Sequence, residues 1–331
     1  MAKTLAVKTT RKKPTPAGAA TSRATMPTTG IVVGMVGLGI MGSAMSANLV
    51  QAGFTVLGYD PVEKARARLK QVGGTPCDNV VEVASRCQFI LLSLPSEAAL
   101  AQVCAELIAG GCKGLVVAET STLPEEAKLR ALAALASRGI VLLDCPLSGT
   151  GAQALTRDLA VYASGDLKSI QRFADVFEGF ARVRYDVGAF GNGMRMKLVA
   201  NLLVAIHNVS AAEALLMGVR AGLDPALLVK VVADGAGGSR MLQVRGPVMV
   251  DRSWGKATMK VSTWQKDMRL INDALQATDT PAPLFAACMP IYNAAMALGH
   301  GPDDTAAVYS VLEHMMGAAP GAGKKRKKKK S

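Results

Sequence analysis

The chain has 331 residues, half of them hydrophobic, and a formal net charge of +13. That length and apolar content provide a substantial core in one large or two ordinary domains and exclude a largely disordered chain. The charge does not describe a basic body. Lys3, Lys8, Arg11, Lys12, Lys13 and Arg23 lie within residues 1–30, and Lys324, Lys325, Arg326, Lys327, Lys328, Lys329 and Lys330 within 317–331. Neither segment holds an acid, so everything between them is neutral.

Residues 1–29, rich in Ala, Thr and Pro, read as a disordered basic tail. An organelle transit peptide shares this crude composition, although Pro14 and Pro16 interrupt any amphipathic helix. Next comes a short apolar run, 31–36, predicted as a buried strand. Gly37, Gly39 and Gly42 follow in Gly-x-Gly-x-x-Gly spacing, and a helix opens over 41–50. A second strand-like run, 55–59, ends on Asp60. This order is that of a dinucleotide site. The first glycine allows the tight turn, the second admits the pyrophosphate to the backbone amides, and the third lets helix and strand pack closely. The positive end of the helix then faces the phosphates. Asp60 is placed to accept hydrogen bonds from the adenosine ribose and to repel a 2′-phosphate, so NAD is expected over NADP. Arg66 and Arg68 fall one to two turns into the next helix and carry less weight; Lys64 is the cation placed to soften the preference.

Further strands are predicted at 88–94, 115–118, 140–144, 159–163 and 183–185, with helices over 61–72, 96–108, 124–138 and 167–180. Such alternation predicts an α/β domain with a doubly wound, mostly parallel sheet. Beyond 192 the texture changes. Residues 193–222 are apolar on most faces, as in a helix buried on several sides. Asp224-Pro225 reads as an N-cap followed by Pro at the first helical position. Helical patterns follow over 261–277, 283–297 and 303–316. The organisation expected is a basic tail (1–29), a Rossmann domain (30–192), an all-helical domain (193–317) entered through a long interdomain helix, and a polybasic tail (318–331).

No uninterrupted apolar stretch approaches the roughly 20 residues of a membrane span, so no membrane partner is expected. Six scattered cysteines with no C-x-x-C pair, and only three histidines, give no metal-ligand spacing. They suit small buried residues in a reducing compartment, and a cytoplasmic location is expected.

The chain resembles the beta-hydroxyacid dehydrogenase family across 31–316, through four separated motifs. They are Gly37-Leu38-Gly39-Ile40-Met41-Gly42 with Met45, Asn48 and Leu49; Asp144-Cys-Pro-Leu-Ser148-Gly149-Thr150; Gly193-Met-Arg-Met-Lys197-Leu-Val-Ala-Asn201; and Lys266-Asp267. The resemblance implies hydride transfer between a nicotinamide and a small 3-hydroxy acid. Lys197 would be the general acid/base, with Asn201 one turn on orienting the lysine or a substrate oxygen. Ser148, Gly149 and Thr150 would receive the substrate carboxylate. The glycine loop, Asp60, Leu94, Pro95, Ser96, Thr122 and Lys266 would hold the cofactor. Physical reasoning agrees for Lys197: a lysine on an apolar helix is costly unless used, and desolvation lowers its pKa toward the working pH. Two departures stand out, Thr150 for the second glycine of the substrate loop and Ala200 for the first of two asparagines. Gly237-Gly-Ser-Arg-Met241 and Asp303-Asp304-Thr305 lean toward the sugar-acid branch, such as threonate dehydrogenases. Ser96 and Thr122 also suit helix caps. Members of this kind form homodimers or homotetramers. The competing readings are an imine reductase on the same scaffold, which usually lacks the lysine, and a non-catalytic relative that meets nucleic acid through its basic tails.

Overall fold

Six short apolar segments pair into one parallel sheet. The computed structural model describes residues 30–317, so both basic tails lie outside the described residues. β1 (Val32–Val36) leads through α1 (Ile40–Gln51) to β2 (Thr55–Tyr59) and α2 (Glu63–Gln71). β3 (Thr75–Pro76), α3 (Val80–Ser85) and β4 (Phe89–Leu92) follow. Then come α4 (Glu97–Ala109), β5 (Val116–Glu119), α5 (Glu125–Ala136) and β6 (Val141–Asp144). The strand order is β3-β2-β1-β4-β5-β6. Every pairing is parallel. The order reverses beside β1, which opens a ligand crevice at the carboxyl ends of β1 and β4.

Both faces of the sheet are buried, as a parallel sheet requires. Alternate residues supply the two cores: Leu91 packs with Val33, Met35, Met45 and Leu49, while Ile90 and Leu92 pack on the other face with Val117, Leu100 and Leu107. The sequence reading passed over β3 and α3. A two-residue strand leaves no alternation to detect, and Pro76 is tolerated there because β3 is an edge.

A second difference lies after β6. β7 (Leu147–Ser148), α6 (Gly151–Leu155), β8 (Ala160–Ala163) and β9 (Val183–Asp186) do not extend the large sheet. The three strands make a separate sheet in the order β7-β8-β9, antiparallel and then parallel. One bridge, Asp144 to Ser164, joins it to β6. The helix predicted over 167–180 is divided at Phe173 into α7 (Leu167–Arg172) and α8 (Ala174–Phe180).

The rest is helical: α9 (Asn192–Arg220), α10 (Pro225–Asp234), α11 (Arg240–Asp251), α12 (Val261–Ala277), α13 (Pro283–Ala297), a 3-10 turn (Thr305–Ala307) and α14 (Val308–Met315). By length and composition α9 is long and apolar enough to cross a membrane. Its packing accounts for that character. Ala205, Val209, Ala212 and Leu215 form a core with Trp264, Phe285, Tyr292 and Leu312, while Val199, Leu203 and Met217 stay exposed on the opposite face. Asp224 caps α10 by accepting from the Leu227 N–H at 2.8 Å, with Pro225 next. α11, with Pro247 in its interior, lies outside the predicted helices.

Candidate active site

The glycine loop is shaped by close approach. Gly37 has φ +91°, and a Cβ there would lie 2.2 Å from the Ser93 carbonyl oxygen. A Cβ on Gly42 would lie 1.9 Å from the Gly37 carbonyl oxygen, so α1 packs onto its own loop only with glycine in place. Gly39 differs, since a Cβ there meets no atom within 4 Å. No side chain caps α1 at Gly39, and no acid stands in its first turn. An uncapped helix start beside open space suits a dinucleotide pyrophosphate. Leu38 is fully buried, whereas Ile40 is exposed at the first turn.

Asp60 follows the end of β2 and organises this loop. Its Oδ2 accepts from the Leu38 N–H at 2.8 Å and its Oδ1 from the Val62 N–H at 2.8 Å. Arg66 and Arg68 are closer than their sequence positions suggested. Arg66 Nη1 donates to the Asp60 carbonyl at 2.6 Å, and Arg68 Nη2 reaches the Leu38 carbonyl at 3.5 Å. Long side chains on the first turns of α2 fold back over the tip of β2. Across the crevice, the Leu94 N–H donates to Ser121 Oγ at 2.7 Å. Ser96 caps α4 through the Ala99 N–H, with Pro95 immediately before it. Thr122 caps nothing, because α5 starts from Pro124 without a side-chain cap; instead its carbonyl accepts from Lys266 Nζ. That contact ties the helical domain to the loop after β5.

A cavity of about 470 Å³ lies between the small sheet and the helical domain. Ser148, Gly149, Thr150, Lys197 and Asn201 all line it, so two motifs distant in sequence meet there. The glycine loop, Asp60, Leu94, Pro95, Ser96, Thr122 and Lys266 are outside this lining. Lys197 is only 9% exposed. Burial pulls its pKa below the ordinary lysine value; Asp267 opposes that shift and Lys266 adds to it. Asn201 Nδ2 donates to Asp267 Oδ2 at 3.0 Å, and Asp267 Oδ1 stands 3.2 Å from Lys266 Nζ. The carboxylate thus joins α9 to the lysine that crosses to Thr122.

The start of α9 is held from below. Its N-cap, Gly191, offers no side chain. Asp144 Oδ2 takes the Met194 N–H at 2.8 Å instead, and Ser164 Oγ takes the Gly193 N–H at 3.0 Å. A Cβ on Gly193 would lie 2.6 Å from the carbonyl oxygens of Asp144 and Tyr162, so only glycine permits the approach. A carboxylate at a helix N-terminus also meets the positive end of the helix dipole. Asp144 is itself paired with Lys128 at 2.6 Å, and Lys128 with Glu119 at 2.7 Å, all three side chains fully buried. Burial alone would lower the Lys128 pKa; Glu119 and Asp144 outweigh it and raise it. The sequence reading missed Lys128, whose one signal was a lysine on the apolar side of α5.

It also missed the Arg182 and Arg245 guanidiniums, and gave Arg240, within the 237–241 run, no site role. All three line the same cavity as Lys197, with Gln153 and Asp158. Arg245 is buried and pairs with Asp304 at 3.3 Å. Burial pushes Asp304 up, but Arg245 and the Ala306, Met259 and Thr258 N–H groups outweigh it and leave its pKa lowered. Thr150, expected as a substrate contact, also has a structural duty: it caps α6 in a reciprocal capping box with Gln153.

Two family profiles match the chain. The NAD binding domain of 6-phosphogluconate dehydrogenase covers residues 32–209, and the NAD-binding domain of NADP-dependent 3-hydroxyisobutyrate dehydrogenase covers 191–312. An L-threonate dehydrogenase of Cupriavidus necator is 31% identical over 285 residues, covering 85% of this chain and 95% of that one. The chain belongs to the beta-hydroxyacid dehydrogenase family. A 2-(hydroxymethyl)glutarate dehydrogenase of Eubacterium barkeri is 30% identical over 298 residues, 88% of this chain and 98% of that one. Among solved structures, the Mycobacterium tuberculosis 3-hydroxyisobutyrate dehydrogenase with L-serine superimposes with a TM-score of 0.76. It is 27% identical and covers 85% of this chain and 99% of that one. As a member of this family the protein is an oxidoreductase with a nicotinamide-cofactor-binding domain.

Proposed function

We propose that this enzyme interconverts a small 3-hydroxy acid and its carbonyl product, with Lys197 as general acid/base and NAD preferred over NADP. The observation that carries the reading is a desolvated lysine in one cavity with a hydroxyl and a loop amide suited to a carboxylate. The bound nicotinamide supplies the hydride acceptor, or the donor in reverse. In oxidation Lys197 Nζ takes the hydroxyl proton of the substrate; in reduction it returns that proton to the carbonyl oxygen. Its lowered pKa suits both duties. Asn201, held by Asp267, fixes the polar side of the cavity near Lys197. Ser148 Oγ and the Gly149 N–H receive the carboxylate. Lys266, hydrogen-bonded to the Thr122 carbonyl, closes the cleft over the cofactor.

For cofactor choice, the Asp60 carboxylate disfavours a 2′-phosphate, whereas Arg66 and Arg68 narrow the margin. The substrate set follows from the named relatives and the cavity: 3-hydroxyisobutyrate, L-threonate and 2-(hydroxymethyl)glutarate. The test is a panel of these acids assayed for NADH formation at alkaline pH. Turnover of at least one, abolished by Lys197→Ala, is the expected result; turnover of none with NAD or NADP overturns the reading.

A further inference from the structure

The cavity continues beyond the reacting end. Ser148, Ala160 and Val183 are successive register partners across β7, β8 and β9. Arg182, next to Val183, is therefore two strand spacings from Ser148, roughly 10 Å along the cavity wall. From the facing helical domain Arg240 enters at the first position of α11. Both arginines converge on one carboxylate: Arg182 Nε donates to Asp158 Oδ1 at 2.9 Å, and Arg240 Nη2 to Asp158 Oδ2 at 2.6 Å. Asp158 is thus shared, one hydrogen bond to each guanidinium, and its pKa is lowered, first by Gln153 and then by Arg182. Each arginine has five N–H donors, and among the described residues the only side-chain partner recorded for either is Asp158. The pair carries excess positive charge on an exposed part of the lining, whereas Lys197 in the same cavity is buried.

The segment that presents Asp158 is tied to the substrate loop. Gln153 Nε2 donates to Asp158 Oδ2 at 3.0 Å, while Gln153 Oε1 accepts from the Thr150 N–H at 3.0 Å. Gln153 therefore links the carboxylate-binding loop to the arginines, through a backbone N–H at Thr150 that the glycine of the family pattern would also offer. A three- or four-carbon monoanion seated on Ser148 and Gly149 has no second charged group to offer these guanidiniums.

We propose that Arg240 and Arg182 form a second anion subsite, so that the preferred substrate is a 3-hydroxy acid with a further anionic group, carboxylate or phosphoryl, on its tail. The proposal rests on the 3-hydroxy acid reading above and adds the substrate class. The second anion occupies the guanidinium N–H groups that Asp158 leaves free, and charge-assisted pairing to planar guanidiniums fixes the tail.

Two acids form a matched pair. 2-(Hydroxymethyl)glutarate differs from 3-hydroxyisobutyrate only in carrying a carboxyethyl group in place of the methyl. With the full-length enzyme, kcat/KM for the dianion exceeds that for the monoanion by about tenfold or more, and Arg240→Gln collapses this ratio through KM, the size expected of one charge-assisted contact. Arg182→Gln acts in the same direction, and raised salt erodes the ratio in the wild type but little in Arg240→Gln. A terminal phosphoryl analogue separates the anion types: a higher ratio for it assigns the site to phosphoryl tails, a lower one to carboxylates, and either supports an anion subsite. If the enzyme oxidises the monoanion at least as well as the dianion, or if Arg240→Gln lowers both equally, the arginines merely latch the two domains and the subsite is overturned while the 3-hydroxy acid reading stands. Turnover of neither acid, and of no other in the panel, overturns both.

Discussion

Glu119 and Asp144 are register partners at the ends of the adjacent strands β5 and β6, and the fully buried Lys128 ammonium lies within 2.7 Å of both. Two like charges side by side on a sheet repel, so this arrangement exists only because α5, the crossover between these strands, delivers a cation. Asp144 in turn holds the N-terminus of the helix that carries Lys197, one turn away from the contact. The site therefore inherits its position from a charge cluster that never meets solvent.

Replacing Lys128 with Met leaves two buried carboxylates uncompensated and is expected to cost about 3–5 kcal/mol, as breaking a buried pair does. Because the Lys128 pKa is raised, its contribution is present below the unfolded lysine value and is lost only as pH rises through the folded value. The Lys128 contribution is thus undiminished at pH 7, where chemical denaturation of the wild type and the Met variant measures the loss. Lys128→Arg is expected to recover part of it; equal stability of the Met variant would show the cluster to be energetically neutral.

Lys197→Ala should lower kcat by about 10²–10⁴, the usual worth of general acid–base catalysis, with little change in cofactor affinity. Oxidation needs the neutral amine, so its kcat should rise with pH through the Lys197 pKa, below the ordinary lysine value. Reduction needs the ammonium and should fall over the same range. Steady-state pH profiles in both directions check this, and the step should vanish in the alanine variant.

Asp60 sets the expected cofactor ratio. A carboxylate facing a 2′-phosphate costs on the order of 1–3 kcal/mol when partly buried, so kcat/KM should favour NAD by about tenfold or more. In Asp60→Asn the ratio should narrow or invert, because Arg66 and Arg68 already lie at the tip of β2. Equal turnover with NADP in the unmodified enzyme would show that these guanidiniums outweigh the carboxylate.

Two glycines of the cofactor loop should respond differently. Gly42→Ala places a methyl 1.9 Å from a backbone oxygen, and overpacking of that kind costs about 1–3 kcal/mol or more. Melting temperature and cofactor affinity should fall together. Gly39→Ala meets no protein atom within 4 Å, so its melting temperature should hold while cofactor affinity, measured by nicotinamide fluorescence titration, drops.

Features whose signals are local were legible in the amino-acid order. Strand, glycine spacing and helix around Gly37–Gly42, the Asp224-Pro225 cap, and Lys197 and Asn201 on one helix face all depend on residues within a few positions, where backbone sterics and helical periodicity act directly. Tertiary structure decided the rest. Arg240 meets Asp158 across 82 positions, and Asn201 meets Asp267 across 66. Arg182 and Lys128 drew no site assignment, because no local pattern says which charges each will face. The strands after β6 formed a separate sheet for the same reason: two- to four-residue strands show propensity, whereas the partner each one finds is set by packing between segments. A charge acquires its role from the charges and the desolvation around it, and those exist only once distant segments are folded together.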